Sequence, residues 1–301
     1  MWLAPPRELA YNDVGMRPLS PGPIRIAALA LASALAAGGQ QPPASKGARI
    51  LLLPRKMVSG DRTTLAVLDL SGRLTPGVTV AFSNGDRVTT DATGRAAFVA
   101  PLTQGVLYAS IVGRAGRIQI QVVPPSATRA ATQVERAPHF ASLSDRFDLQ
   151  GQGFCGVADR NAVEINGRPA LVMAASSESL VVLPPAELDP GPGDVSVSCS
   201  KGTPGRTRIT FLALSLEADT SPLAAGQKRT LAVRVTGTRE KAVLEARNLA
   251  PEVADLEGGN PARATSSGGA DNVARFPLTG KQHGNILVSI RLLPGVVRAQ
   301  P

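Results

Sequence analysis

The sequence predicts an all-β chain of tandem β-sandwiches behind a cleaved signal peptide. Three observations carry this. Short runs of alternating apolar and polar residues recur from Arg49 to Leu292, each bounded by Gly, Asn, Asp or Pro. No stretch sustains the 3.6-residue period of a long amphipathic helix. The N-terminus has a basic approach, a short apolar run and small residues, the order of an export signal.

That signal occupies residues 1–37. Arg17 and Arg25 precede Ile26-Ala-Ala-Leu-Ala-Leu-Ala-Ser-Ala-Leu-Ala-Ala37, and Ala34-Leu35-Ala36 supplies an A-x-A cleavage site. The run is too short and alanine-rich to span a bilayer comfortably. Residues 1–15 lie upstream of an ordinary n-region, which makes Met16 an alternative start. No Cys follows the apolar run and no later stretch is apolar for 18 residues, so neither a lipid anchor nor a second span is expected. The mature chain is expected to be exported, to the periplasm or the cell exterior. Cleavage leaves 29 basic and 21 acidic residues, net +8, in a length that suits three sandwiches of about 80–90 residues.

Residues 38–47, rich in Gly, Gln and Pro, read as a flexible leader. The first sandwich is expected over 48–124. Its strands are Arg49–Leu53, Thr63–Leu70, Val78–Ser83, Val88–Asp91, Ala96–Val99, Val106–Val112 and Ile118–Val123. Asn84-Gly85 is a hairpin signal, and the last strand alternates Ile118, Ile120 and Val122 against Gln119 and Gln121. Val67-Leu-Asp-Leu-Ser-Gly, Gly77-Val-Thr-Val-Ala-Phe, Thr90-Asp-Ala-Thr-Gly and Ala96-Ala-Phe resemble the bacterial Ig-like repeats of invasin- and intimin-type surface proteins. The resemblance implies an immunoglobulin-like sandwich and an adhesion or stalk role.

Residues 125–134, within a stretch that begins Pro124-Pro125-Ser-Ala-Thr, read as a linker. A second sandwich is expected over 135–212. Between Phe147 and Pro184 the sequence runs Phe-Asp-Leu-Gln-Gly-Gln-Gly-Phe, Ala-Val-Glu-Ile-Asn-Gly-Arg-Pro-Ala, and Ser-Ser-Glu-Ser-Leu-Val-Val-Leu-Pro-Pro. That order of strand, glycine turn, Pro-Ala, Ser-Ser-x-x-Leu and Pro-Pro resembles the IPT/TIG family of immunoglobulin-like domains. The resemblance implies tandem immunoglobulin-like β-sandwiches as the fold; it implies no single activity, because this architecture hosts many. The start departs from the family pattern: Ala137-Pro138-His-Phe-Ala-Ser-Leu stands where the family has a proline- and glycine-rich approach.

Cys155 and Cys199 are the only cysteines, and an even count in an exported chain reads as one disulfide. Cys155 follows a strand in phase with Phe147 and Leu149; Cys199 ends a strand in phase with Val195 and Val197. In an immunoglobulin-like sandwich the loop after the second strand and the end of the sixth lie at one end of the domain. The phase places both side chains on the core side. Two free thiols, or a redox or metal site, are the alternatives, and a metal needs more ligands than these two.

The third sandwich is expected over 213–295, with 296–301 as a tail. Its strands are Leu214–Glu217, Thr230–Thr236, Ala242–Ala246, Ala274–Leu278 and Ile286–Leu292. Glu257–Asp271, with Ser266-Ser-Gly-Gly269, reads as a long mobile loop able to carry a contact.

The composition narrows function. Lys and Arg number 32 against 23 Asp and Glu, net +9, with the densest excess over 48–124. This charge suits an anionic envelope polymer, but no Lys/Arg run or nucleic-acid motif accompanies it, so no nucleic-acid partner is expected. The mature chain keeps no Trp and one Tyr, Tyr108, which leaves few rings for stacking on sugars. No catalytic residue, cofactor site or metal site is expected. His139 and His283 stand without a Gly-x-Ser-x-Gly elbow and read as turn residues. Asp145, Asp148, Asp159 and Asn161 are too few for the six to eight oxygens of calcium. Gly151-Gln-Gly153-Phe154 lacks the third glycine and the helix of a phosphate loop. The expectation is a non-catalytic exported protein that binds a protein or an anionic envelope polymer, or acts as a spacer. The alternative is a subunit of, or itself, an extracytoplasmic hydrolase.

Overall fold

A computed structural model describes residues 49–125, 131–200, 202–217, 221, 223–282, 284–293 and 295–298. The expected signal peptide and leader, and His283, lie outside them. Among the described residues the chain is all-β: twenty-three strands and one 3-10 turn, Ala158–Arg160.

The first sandwich holds β1 (Arg49–Leu52), β2 (Lys56–Val58), β3 (Arg62–Asp69), β4 (Thr79–Phe82), β5 (Arg87–Thr89), β6 (Arg95–Val99), β7 (Gly105–Ile111) and β8 (Ile118–Val123). One sheet runs β1-β3-β6; the other runs β2-β8-β7-β4-β5, with β2 parallel to β8. Met57, Leu65, Val67, Val80 and Ile120 fill the space between them. The first, second and fifth strands of the immunoglobulin scheme thus face the seventh, sixth and third. The sequence reading missed β2, a three-residue edge with no room to show a period.

The middle sandwich repeats that scheme with β9 (Gln133–Pro138), β10 (Phe140–Ser142), β11 (Phe147–Gln152), β12 (Asn161–Ile165), β13 (Arg168–Ala175), β14 (Ser179–Leu183), β15 (Gly191–Cys199) and β16 (Gly205–Glu217). Here β9-β11-β14 faces β10-β16-β15-β12, and β10 is parallel to β16. β13 serves both sheets: Arg168–Ala170 pair with β12, and Leu171–Ala175 pair with β14, with a register shift between Val172 and Ala174. Asn166 and Gly167, at φ 52° and 75°, join β12 to β13 in a two-residue turn. Both positions need positive φ, which is what Asn-Gly supplies. Phe147, Leu149, Ile165, Leu180, Val197 and Phe211 make the core.

The third sandwich adds β17 (Lys228–Thr236), β18 (Val243–Asn248), β19 (Ala254–Leu256), β20 (Ala262–Thr265), β21 (Val273–Gly280) and β22 (Val288–Leu292). The far half of β16 leads the sheet β16-β17-β21-β19, which faces β20-β18-β22. Leu231, Val233, Leu244, Ala246 and Phe276 pack between them.

Three elements depart from the sequence reading. The strands expected at Thr207–Leu212 and Leu214–Glu217 are one strand, β16, because its side chains serve the middle core up to Phe211 and the third core from Leu212. Within Glu257–Asp271 lies β20, paired with β18, and the Ser266 hydroxyl is buried against the Ala242 amide. That segment is therefore not a free loop; its low apolar content hid an edge strand. Residues 296–298, expected as tail, form β23 (Val296–Arg298), which pairs antiparallel with β9 of the middle sandwich.

The first and middle sandwiches are joined flank to flank. Leu65 and Val67 of β3 face their own core, while Ala66 and Leu68 pack on Met173, Ala174 and Val181 of the middle sandwich. β14 does the reverse, with Leu180 and Val182 inward and Val181 at the joint. A strand buried on both faces needs an apolar residue at every position, which explains the unbroken runs Leu65-Ala-Val-Leu68 and Leu180-Val-Val-Leu183. Thr64 Oγ1 donates to Gly156 O at 2.9 Å, and Ser176 Oγ donates to Lys56 O at 2.6 Å across the same joint. Any Cβ at Gly156 would run into the Arg62 carbonyl. Gly156→Ala is therefore expected to loosen the joint while leaving each core intact. Limited proteolysis of the variant should cut between residues 125 and 131 several-fold faster than in the parent protein. Equal rates would show that the joint tolerates the methyl group.

Candidate functional site

The joint leaves a cleft of about 990 Å³ between the first and middle sandwiches. Its walls are Asp61 and Arg62 at the start of β3, Thr132 before β9, the Gly153–Val157 loop after β11, Arg160, Ser177 and Glu178 between β13 and β14, and Cys199–Ser200 after β15.

The loop is held by local chemistry. Asn161 Oδ1 accepts from the Cys155 amide at 2.8 Å, and its Nδ2 donates to Cys155 O at 2.7 Å and Val157 O at 3.1 Å. Cys155 is bonded to Cys199 with Cα atoms 5.3 Å apart, which ties the loop to the end of β15. The expected disulfide is present. It differs from expectation in placement: both half-cystines are half-buried at the cleft wall rather than in the core, because the chain leaves strand geometry at Gly153. Thr132 Oγ1 donates to Gly153 O at 3.1 Å, and Ser177 Oγ donates to Asp61 Oδ2 at 2.8 Å, fixing the two walls.

Charge in the cleft is uneven. Arg62 and Arg160 are exposed at its rim, and neither guanidinium has an ion-pair partner among the described residues. Glu178 sits deeper; burial pushes its carboxyl above the usual range and Glu135 adds to this, while Lys56 opposes it. The site offers backbone carbonyls and amides, the hydroxyls of Thr132, Ser177 and Ser200, two rim cations and two carboxylates, Asp61 and Glu178, the second with its proton affinity raised by burial.

The other residues singled out from sequence lie elsewhere. His139 is on the opposite side of the middle sandwich, its Nε2 3.0 Å from Glu240 and its ring against Phe140. No serine among the described residues is hydrogen-bonded to its ring. Asp145 pairs with Arg146, Asp148 with Arg55, and Asp159 with the largely buried Arg95. Each is the partner of a cation, and no group of three metal-ligating side chains occurs among the described residues. No helix among them is long and apolar enough to cross a membrane. Sequence reasoning missed Arg62, Arg160, Ser177 and Glu178. Nothing in the chain could flag them, since Asp61 and Ser177 meet across 116 residues.

No family model matches the chain, and no curated protein does. Among solved structures, the SGBP-B protein of a Bacteroides ovatus mixed-linkage glucan utilization locus, in complex with a heptasaccharide, is 10% identical over 81% of this chain and 73% of that one, with a TM-score of 0.31. Invasin, a bacterial integrin-binding protein, is 14% identical over 84% and 60%, at 0.21. The extracellular region of plexin A4 is 11% identical over 82% and 33%, at 0.31. The chain thus spans a third to three quarters of those structures. The likeness is distant, and the immunoglobulin-like arrangement rests on the chain's own strand orders.

Two outcomes follow from the site. The disulfide closes a 44-residue separation, for which the chain-entropy relation gives about 4 kcal/mol. Cys155→Ser is expected to cost up to that much in denaturant unfolding, first in the middle sandwich, and non-reducing peptide mapping of the parent should show the linked pair. Glu178 has the opposite sign from a salt-bridged carboxylate. With its folded value raised, the native state holds the extra proton, so stability falls as pH rises through that value. Glu178→Gln should therefore raise the melting temperature at pH 7 and leave it unchanged at pH 4. A variant that melts lower at pH 7 would mean the carboxylate is engaged in its charged form.

Proposed function

We propose that the mature chain is an exported, non-catalytic protein that holds an anionic partner, an acidic protein segment or an envelope polymer, in the cleft between its first and middle sandwiches. The observation that carries this is the pair Arg62 and Arg160, exposed on the rim of a disulfide-tied cleft and in no ion pair among the described residues. The third sandwich, continuous with the middle one through β16, extends the body as a spacer or second contact surface. Export is supported by the disulfide, a bond that persists in oxidising compartments. A non-catalytic reading is supported by the cleft's chemistry: the Thr132 and Ser177 hydroxyls are committed to structural bonds, and no imidazole lines it among the described residues.

The test is retention from envelope extract on the immobilised mature protein, compared with Arg62→Glu/Arg160→Glu. A partner released between low and moderate salt, and lost with the double variant, is the expected result. A partner retained equally by both would move binding off the cleft. Reproducible failure to retain any would leave the spacer role. A hydrolase screen repeated on His139→Ala and His283→Ala addresses the alternative, and activity abolished by either substitution would establish it.

A further inference from the structure

Among the described residues the third sandwich is short of one strand. In the first sandwich the sheet containing β4 and β7 is completed by β8, and in the middle one the sheet containing β12 and β15 is completed by β16. The matching sheet of the third is β20-β18-β22, and among the described residues no strand lies beyond β22. The chain leaving β22 does not turn back along it. Instead Gly295 accepts a hydrogen bond from the His139 amide, and Val296–Arg298 pair with β9.

Two independent observations mark the open position. The first is backbone phase. Leu249 N donates to Leu287 O and Leu293 N to Val243 O, which puts the odd-numbered residues of β22 in hydrogen-bonded register with β18. In an antiparallel pair the intervening residues turn their N–H and C=O groups the other way. On β22 these are Val288, Ile290 and Leu292, and their outward groups have no partner among the described residues. The second is an uncovered core. Leu212, Leu214 and Leu216 of β16 all point inward, Leu214 and Leu216 opposite the buried Val235 and Val233. Leu212 is fully buried, Leu214 is half-buried and Leu216 is 54% exposed. Across the gap Leu292 is buried, whereas Ile290 and Val288 are only half-buried. Phe140 of β10 belongs to this core and closes the end nearest the middle sandwich. The seam therefore opens away from that sandwich, with apolar side chains along its floor and a row of free backbone groups along one wall.

We infer that this seam takes an added β-strand from a partner protein: an extended segment with apolar side chains at alternate positions and acidic side chains between them. The backbone groups of Val288 and Ile290 supply the ladder, and Leu214, Leu216, Val288 and Ile290 receive the inward side chains. Charge fixes the outward ones. They would continue the outer face of β20-β18-β22, which carries Arg263, Arg247 and Arg291 around a single acidic residue, Glu245. Glu245 is almost fully buried and already engaged by Arg263 and Arg291. Burial works against its charge, but the two guanidinium groups outweigh this and hold its carboxyl below the usual range. The face thus presents an excess of cations to whatever strand lies beside Ser289 and Arg291. The seam shares no residue with the cleft, so the inference goes beyond that reading and stands apart from it.

The test uses the mature protein and a synthetic nonapeptide of alternating Glu and Val, with a Lys/Val peptide of the same length as control. Amide hydrogen exchange of the free protein should be fast at Val288 and Ile290 and slow at Ser289 and Arg291. Saturating Glu/Val peptide should slow exchange at Val288 and Ile290 at least tenfold, and the Lys/Val peptide should bind at least tenfold more weakly. Leu216→Glu, at an exposed position that perturbs no filled core, should weaken the Glu/Val peptide at least tenfold. Ser289→Glu should narrow or reverse the preference between the two peptides. Slow exchange at Val288 and Ile290 in the free monomer would show the position already filled and overturn the inference. So would peptide binding that leaves those amides unchanged, the absence of peptide binding, or a dimer whose interface protects them, which would make the occupant a second copy of this chain.

Discussion

Phe211 and Leu212 are adjacent in one strand, point to opposite faces, and are both fully buried. Phe211 lies in the middle core, edge-on to Phe147, and Leu212 lies in the third. Successive side chains of a strand alternate faces, so a strand serves two cores only where one sandwich ends on one side as another begins on the other. β16 meets that condition over thirteen residues. The middle and third sandwiches are thereby parts of one sheet path rather than separate modules on a linker, and a one-residue slip in β16 would exchange both sets of side chains. Phe140 from β10 entering the third core and β23 returning to β9 reinforce the same connection.

The joint between the first and middle sandwiches works by a different constraint. Two strands, β3 and β14, are buried on both faces, and small residues, Ala66, Ala174 and Gly156, let the two bodies approach. The centre of that surface is a buried apolar cluster. The polar groups at its margin, Thr64, Ser176, Ser177 and Asp61, are paired across it. The cleft exists because the joint ends there: the loop after β11 departs from the sheet and is tied by Asn161 and the disulfide instead of by strand pairing. A binding surface built in this way is stiff, which limits the entropy lost when a ligand docks.

Edge strands govern the rest. β9 would be an open edge and is covered by β23, and β8 is covered by β2. By sending its last described strand to β9, the chain leaves β22 uncovered. Unpaired edges invite pairing with other chains, and natural sheets usually guard them with charge, bulges or short length. β22 is short and carries Arg291, but its inward residues remain apolar. Protecting one edge has exposed another.

The fold class, most strands and the disulfide were legible in the sequence, because alternation, Asn-Gly turns and paired cysteines are local signals. Asn166-Gly167 forces a turn whatever surrounds it, and Leu149, Val195 and Val197 face a core because their neighbours along the chain are polar or small. The runs Leu65–Leu68 and Leu180–Leu183 carried the hint of two-sided burial, but not what lay on the second side. The continuity of β16, the strand at 262–265, the return of Val296–Arg298 to β9, and the meeting of Asp61 with Ser177 had no local signature. Each depends on where a distant segment comes to rest. The period of a strand determines which side chains share a face; only the packed structure decides what that face meets, because the contacts that cover it come from residues a hundred positions away.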